Sequence, residues 1–173
     1  LQMNIIKDEF KLIYNYDLID HIDTRIKEPK SIVKKMEKKK YDKTYLNLIE
    51  KINDIAGIRI VCTLKDDIFF IRDLVKQMPD IHVLKEKDYV TNPKESGYSS
   101  YHMIVEVPVK LTQKTIYVKC EIQIRTLAMD FWASFEHKVK YKTKNDVNPK
   151  MSKELVSCAK MINKFDTKMI NYK

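Results

Sequence analysis

Glycine is almost missing from this chain: only Gly57 and Gly97 occur in 173 residues, each inside a dense cluster of polar and charged side chains. A sequence that leaves so little glycine for ordinary turns keeps it where backbone passes close to something or takes positive φ, so both positions point to a site. Cysteine is sparse too. Cys62, Cys120 and Cys158 are odd in number and far apart, with no CxxC pair, which argues against a disulfide framework and a structural zinc site and fits a reducing compartment. No apolar run approaches the roughly 20 residues that a membrane-spanning helix needs. The acidic, aromatic N-terminus has no signal-peptide core, so the expectation is a cytoplasmic chain with no membrane partner. A Walker-type phosphate loop is also absent, and any grip on phosphate falls to side chains.

What is present suits one domain over residues 1–173, since 44% hydrophobic content is enough for a real core. Charge is plentiful. Thirty-three Lys and Arg against 24 Asp and Glu leave a formal +9, which favours an anionic partner such as a nucleotide or nucleic acid, although scattered lysines also make an ordinary solvated surface. Ile6, Phe10 and Ile13 predict a packing helix over about 4–18. Ile22, Thr24 and Ile26 alternate with polar residues and put Arg25 and Lys27 on one face of a short strand. Pro29 ends that strand and Ser31 is placed to cap a basic helix to about Lys40. Residues 55–64 read as a buried strand, 66–78 as an amphipathic helix and 81–86 as another strand. Two alternating runs, about 102–109 and 116–125, predict an antiparallel pair turning near Leu111 to Lys114. Thr126 caps a helix whose expected core face is Leu127, Phe131, Phe135 and Val139. After a turn over 145–149, a helix of about 150–171 carries the stripe Leu155, Cys158, Ile162, Phe165 and Met169, long enough to serve self-association.

Three clusters carry chemistry. Asp54 opens one strand and Glu121 lies on the polar face of another, and a sheet can bring the two carboxylates together; paired carboxylates near lysines suit Mg²⁺, a hard ion that prefers oxygen ligands. Two unrelated surface acids would look the same in sequence. Arg25, Lys27, Ser31 and Lys35 are arranged to line a polyphosphate channel, or to form a plain basic stripe. Tyr98, beside Gly97, can offer a ring to a base or can simply pack its loop.

Taken together, Arg25-x-Lys27-x-x-x-Ser31-x-x-x-Lys35, the run Asp54 to Arg59, the run Lys94 to His102, and Glu121 through His137 resemble the synthetase domain of the RelA/SpoT family, in particular its stand-alone small alarmone synthetases. The order and spacing of four motifs over nearly the whole chain make the resemblance specific. It implies an α+β fold, a nucleotidyltransferase-like mixed sheet flanked by helices with further N- and C-terminal helices. It implies a GTP pyrophosphokinase that moves the β,γ-pyrophosphate of ATP to the 3′-hydroxyl of GDP or GTP. Position by position, Asp54 and Glu121 would hold Mg²⁺ and Glu121 would help deprotonate the hydroxyl. Arg25 and Arg59 would sandwich the adenine while Lys27, Ser31 and Lys35 hold the ATP phosphates. Tyr98 would stack on guanine, with Lys94, His102 and Gln123 lining the acceptor side and Asp130 facing the guanine edge. The family further implies a homotetramer. Independently, a carboxylate can accept both guanine N1–H and N2–H₂, a donor pair adenine lacks. Lys38 and Lys87 stand where arginines are expected near phosphates, and Ser99 where relatives often carry arginine. Two other readings keep part of this picture: a toxic relative that pyrophosphorylates the 3′ end of tRNA, which the net charge would suit, and a non-catalytic nucleotide- or RNA-binding module. Tyr98 and Asp130 weigh against the first, and the two carboxylates against the second.

Overall fold

The computed structural model describes residues 2–143 and 148–172. Its centre is a mixed five-stranded sheet built from β1 (His21–Ile26), β2 (Ala56–Cys62), β3 (His82–Asp88), β4 (Tyr101–Lys110) and β5 (Thr115–Thr126), in the order β1-β2-β5-β4-β3. Only β2 and β5 run parallel; the other three pairings are antiparallel. β4 and β5 form the expected hairpin, with Leu111 N–H donating to the Lys114 carbonyl at its turn. Because side chains alternate along a strand, register converts sequence spacing into rows across the sheet. One row reads Asp23, Arg59, Gln123, His102, Lys87 and its neighbour Arg25, Gly57, Glu121, Ile104, Lys85. These rows make the polar face.

The opposite face buries Ile60, Cys62, Met103, Val105, Ile122 and Ile124 in the main core. Helix α4 (Lys65–Gln77) covers it with Ile68, Ile71 and Val75, the three residues its periodicity predicts. Helix α1 (Gln2–Tyr14) contributes Met3, Ile6 and Phe10. It ends earlier than expected, where Asn15 takes a left-handed φ of 49°, and leaves Ile13 exposed. Helix α2 (Pro29–Lys38) starts at the proline, so Ser31 is not its cap but an exposed residue of the first turn; Glu28 holds the cap position without a side-chain bond. The seven-residue helix α3 (Tyr45–Lys51) has no counterpart in the sequence reading, being too short to show periodicity, although Thr44 caps it through Asn47 N–H.

Helices α5 (Leu127–Lys142) and α6 (Pro149–Met169) pack on each other through a second, smaller core of Trp132, Leu155 and Ala159. Thr126 caps α5 as expected, its Oγ1 accepting from Met129 N–H at 3.1 Å. The phase of α5 differs from expectation. Met129 and Trp132 are buried, whereas Leu127, Phe131 and Phe135 are exposed. Four residues of the stripe expected on α6 also divide: Leu155 and Ile162 face inward with Ala159, while Cys158 and Phe165 face out. Most of the turn expected over 145–149 lies outside the described residues.

Candidate active site

A cationic groove of about 440 Å³ opens on the polar face of the sheet, with Asp54 and Glu121 in its wall. Asp54 stands just before β2 and is gripped by two lysines. Lys27 Nζ donates to its Oδ2 at 2.7 Å, and the Lys35 ammonium lies 2.7 Å from Oδ1 without hydrogen-bonding geometry. Burial pushes the Asp54 carboxyl up, but the two ammoniums outweigh burial and leave it below the usual carboxylate range. Both lysines come from the β1–α2 segment.

Glu121 lies at the centre of β5. Gln123 Nε2 donates to its Oε2 at 3.0 Å, and His102 Nδ1 lies 3.3 Å from its Oε1. The His102 contact is the largest influence and holds Glu121 below the ordinary range, against burial and the charge of Asp54. His102 Nε2 meets the Tyr98 hydroxyl at 2.9 Å. That hydroxyl accepts from Arg125 Nη2 at 3.0 Å, which leaves its own proton available to His102 Nε2; with the proton so placed, a neutral His102 carries N–H on Nδ1, facing Glu121. Arg125 Nη2 also donates to Gln123 Oε1 at 2.6 Å, and Nη1 donates to Asp130 Oδ1 at 3.2 Å. Asp130 faces a second guanidinium as well, with Arg59 Nη1 at 3.5 Å.

Glu121 belongs to two cavities at once. In the groove it meets Lys35, Lys39, Lys51, Lys85, Lys87, Lys94 and His102; in an adjoining pocket of about 130 Å³ it meets Arg25, Gly57, Arg59 and Gln123. Gly57 is required neither by φ nor by crowding: its φ is not left-handed, and a Cβ there would lie 3.5 Å from Arg25 Cγ, an ordinary van der Waals contact, so the expectation of a close backbone approach does not hold at this glycine. Of the two glycines, Gly97 is the one with positive φ, at 89°.

Ser31 and Lys38 stand apart from the residues lining either cavity. Tyr98 and Asp130 do so too. The Tyr98 ring is half-buried with the Lys94 ammonium 4.8 Å and the Arg125 guanidinium 5.5 Å from its centroid. Nothing in the sequence singled out Lys39, Lys51, Lys85 and Tyr89, and it placed Arg125 on the polar alternation of β5 without a role. Lys85 was readable from Lys87, two positions along the same strand, but Lys39, Lys51 and Tyr89 depend on which loop or helix end folds over the groove. A third cavity, of about 430 Å³, lies between the Gly97 loop and α6; its walls are mostly apolar and include neither Asp54 nor Glu121.

Among the described residues no group of three or more His, Cys, Asp and Glu is placed to hold a metal ion. Asp54 and Glu121 are nevertheless two ionised oxygen donors in one groove, and a hard divalent ion that keeps room for substrate phosphates needs no more from the protein. No described helix is long and apolar enough to cross a membrane.

Residues 24–146 match the family described as the region found in RelA / SpoT proteins. Over 172 residues the chain is 44% identical to the GTP pyrophosphokinase YwaC of Bacillus subtilis (strain 168), covering 99% of this chain and 82% of that protein. It is 35% identical over 163 residues to GTP pyrophosphokinase YjbM of the same organism, covering 92% and 76%. Among solved structures it is similar to small alarmone synthetase 2 from Bacillus subtilis, with TM-score 0.89, 42% identity, and 99% and 88% of the two chains covered. Small alarmone synthetase 1 from Bacillus subtilis bound to its product pppGpp gives TM-score 0.90 at 33% identity, covering 99% and 87%.

Proposed function

This chain belongs to the RelA/SpoT family, and from that membership we infer that it is a GTP pyrophosphokinase making guanosine alarmones. One observation carries the reading: Glu121 sits at the meeting point of a lysine-lined groove and a smaller pocket walled by Arg25 and Arg59. Two nucleotides bound in these cavities would bring their reacting ends to the same carboxylate. ATP donates the pyrophosphate. The 3′-hydroxyl oxygen of GDP or GTP bonds to the β-phosphorus, the bond from that phosphorus to the oxygen of the α-phosphate breaks, and AMP leaves with the electron pair.

We assign the adenine to Arg25 and Arg59, whose planar guanidiniums stack on a base as an ammonium cannot. Lys27 and Lys35 take the ATP phosphates, and Ser31 supports them from the first turn of α2. Asp54 and Glu121 hold the divalent ion, Mg²⁺ by the hardness of the donor set, and its charge offsets that of the transferring phosphates. Glu121, ionised at neutral pH, accepts the hydroxyl proton. On the acceptor side Tyr98 stacks on guanine in place of the Lys94 ammonium, which moves to the phosphates with His102 beside it. Gln123 binds the ribose, and Asp130 accepts from the guanine N1–H and N2–H₂.

We place the enzyme in the cytoplasm, where its three free thiols stay reduced. Self-association, to a homotetramer, uses the apolar outer faces of α5 and α6. Labelled ATP incubated with GDP, GTP or tRNA tests the activity. A labelled guanosine product is expected; labelling of tRNA alone, or of nothing, would replace this reading with one of the two alternatives.

A further inference from the structure

Arg125 has been given no task in this reaction, yet its side chain is only 4% exposed and stands behind the proposed base. Its Nη2 heads two donor chains. In one, Nη2 donates to the Tyr98 hydroxyl at 3.0 Å, which donates to His102 Nε2 at 2.9 Å, whose Nδ1 reaches Glu121 Oε1 at 3.3 Å. In the other, Nη2 donates to Gln123 Oε1 at 2.6 Å, and Gln123 Nε2 donates to Glu121 Oε2 at 3.0 Å. The chains end on the two different oxygens of one carboxylate. We propose that Arg125 is the positioning residue of Glu121, fixing the carboxylate through both chains.

The donor inventory explains why an arginine suits this place. A neutral imidazole has one N–H and a side-chain amide can be turned either way round; the acceptor-only carboxylate of Glu121 selects the donor of each, and a far-side group that can only donate reinforces that selection. Arg125, which has donors and no acceptor, does so for both. Facing it, Gln123 must present its oxygen and so turns its NH₂ toward Glu121. The Tyr98 oxygen likewise accepts, which frees its proton for His102 Nε2 and agrees with the N–H on Nδ1 that the Glu121 carboxylate favours. Burial of so large a cation is costly, and its Nε lacks a hydrogen-bond partner; Asp130, 3.2 Å from Nη1, supplies the compensating charge. A fold that only needed to fill this space could use an apolar side chain. Lysine would keep the charge but present it as a point rather than a planar fork.

The proposal rests on the reading of Glu121 as proton acceptor and is tested on the intact chain with three variants. Arg125→Met cuts both chains and should lower kcat by about 100-fold, with KM for ATP within about twofold of wild type. Arg125→Lys should recover little, staying at least about tenfold down. Tyr98→Phe keeps the ring and cuts one chain, so kcat should fall by about 3- to 10-fold. Combined with Arg125→Met it should add nothing, since that chain is already broken. Full additivity in the double variant, or kcat within about twofold of wild type in Arg125→Met, would overturn the proposal. If both Arg125 variants lose the folded near-ultraviolet signal, Tyr98→Phe decides, and an unchanged kcat there assigns Arg125 to stability alone. A wild-type chain that binds GDP by calorimetry but forms no alarmone overturns the functional reading instead, which an active wild type indifferent to all these changes does not.

Discussion

Glu121 joins the groove and the smaller pocket, and in our assignment it both binds the divalent ion and takes the proton. Exchanging it for glutamine keeps the shape and removes the charge. Glu121→Gln should therefore lower alarmone synthesis by at least about 10²- to 10⁴-fold, the usual cost of losing a general base, with the thermal midpoint close to wild type. Rates within about threefold of wild type would remove Glu121 from the chemistry. At this scale the sequence was most legible where strands carry the residues. The alternation of Glu121 and Gln123 with isoleucines announces one polar face, and period two leaves no freedom about which side chains share it. Arg125 continues that alternation, yet nothing in the pattern says that a buried base would organise its neighbours. Such a role depends on Tyr98 arriving from a distant loop, which local spacing does not encode.

At the level of elements, the loop bearing Tyr98 is pinned to α6 by Gly97. A Cβ added there would lie 2.4 Å from that of Ala159 and 3.5 Å from Trp132, and φ is already left-handed. Gly97→Ala should raise KM for GDP more than KM for ATP, because the loop must lift off the helix. Adding Ala159→Gly removes the collision but not the strain, so a partial return of GDP affinity is expected; no return would mean that backbone strain alone is responsible. The same helix carries Asp166, buried and accepting from the Thr126 hydroxyl at 2.6 Å. Burial raises its pKa above the usual range despite that bond and the charge of Lys65. A raised folded value contributes stability that is full below the unfolded pKa and is lost as pH rises through the folded one. Asp166→Asn keeps an acceptor without the charge, so it should melt about 2–4 °C above wild type at pH 7, the effect of roughly 1 kcal/mol in a chain this size. Scanning calorimetry from pH 4 to 7 checks it: the gap should close toward pH 4. Helix boundaries were less legible than strands, as at α2, where Pro29 rather than Ser31 sets the start.

Across the whole molecule, the exposed stripe of α5 is the largest departure from expectation. Leu127, Phe131 and Phe135 are 43%, 70% and 50% exposed. Helical spacing reveals that an apolar face exists but not what covers it, and here α6 covers the Trp132 side instead. We assign the stripe to a second copy of this chain. Phe131→Glu with Phe135→Glu should lower the mass seen by light scattering while the far-ultraviolet spectrum persists; unchanged mass in a folded protein would refute the assignment. The one parallel strand pair has a consequence in time rather than space. β2 and β5 join residues 56–62 to residues 120–126, whereas the β4–β5 hairpin closes within a short stretch of chain. Loop-closure entropy makes the distant pairing the slower event. Asp54 stands beside one of these strands and Glu121 on the other, so a refolding chain should recover its helices and hairpin before it recovers any affinity for nucleotide, which returns only in the last kinetic phase.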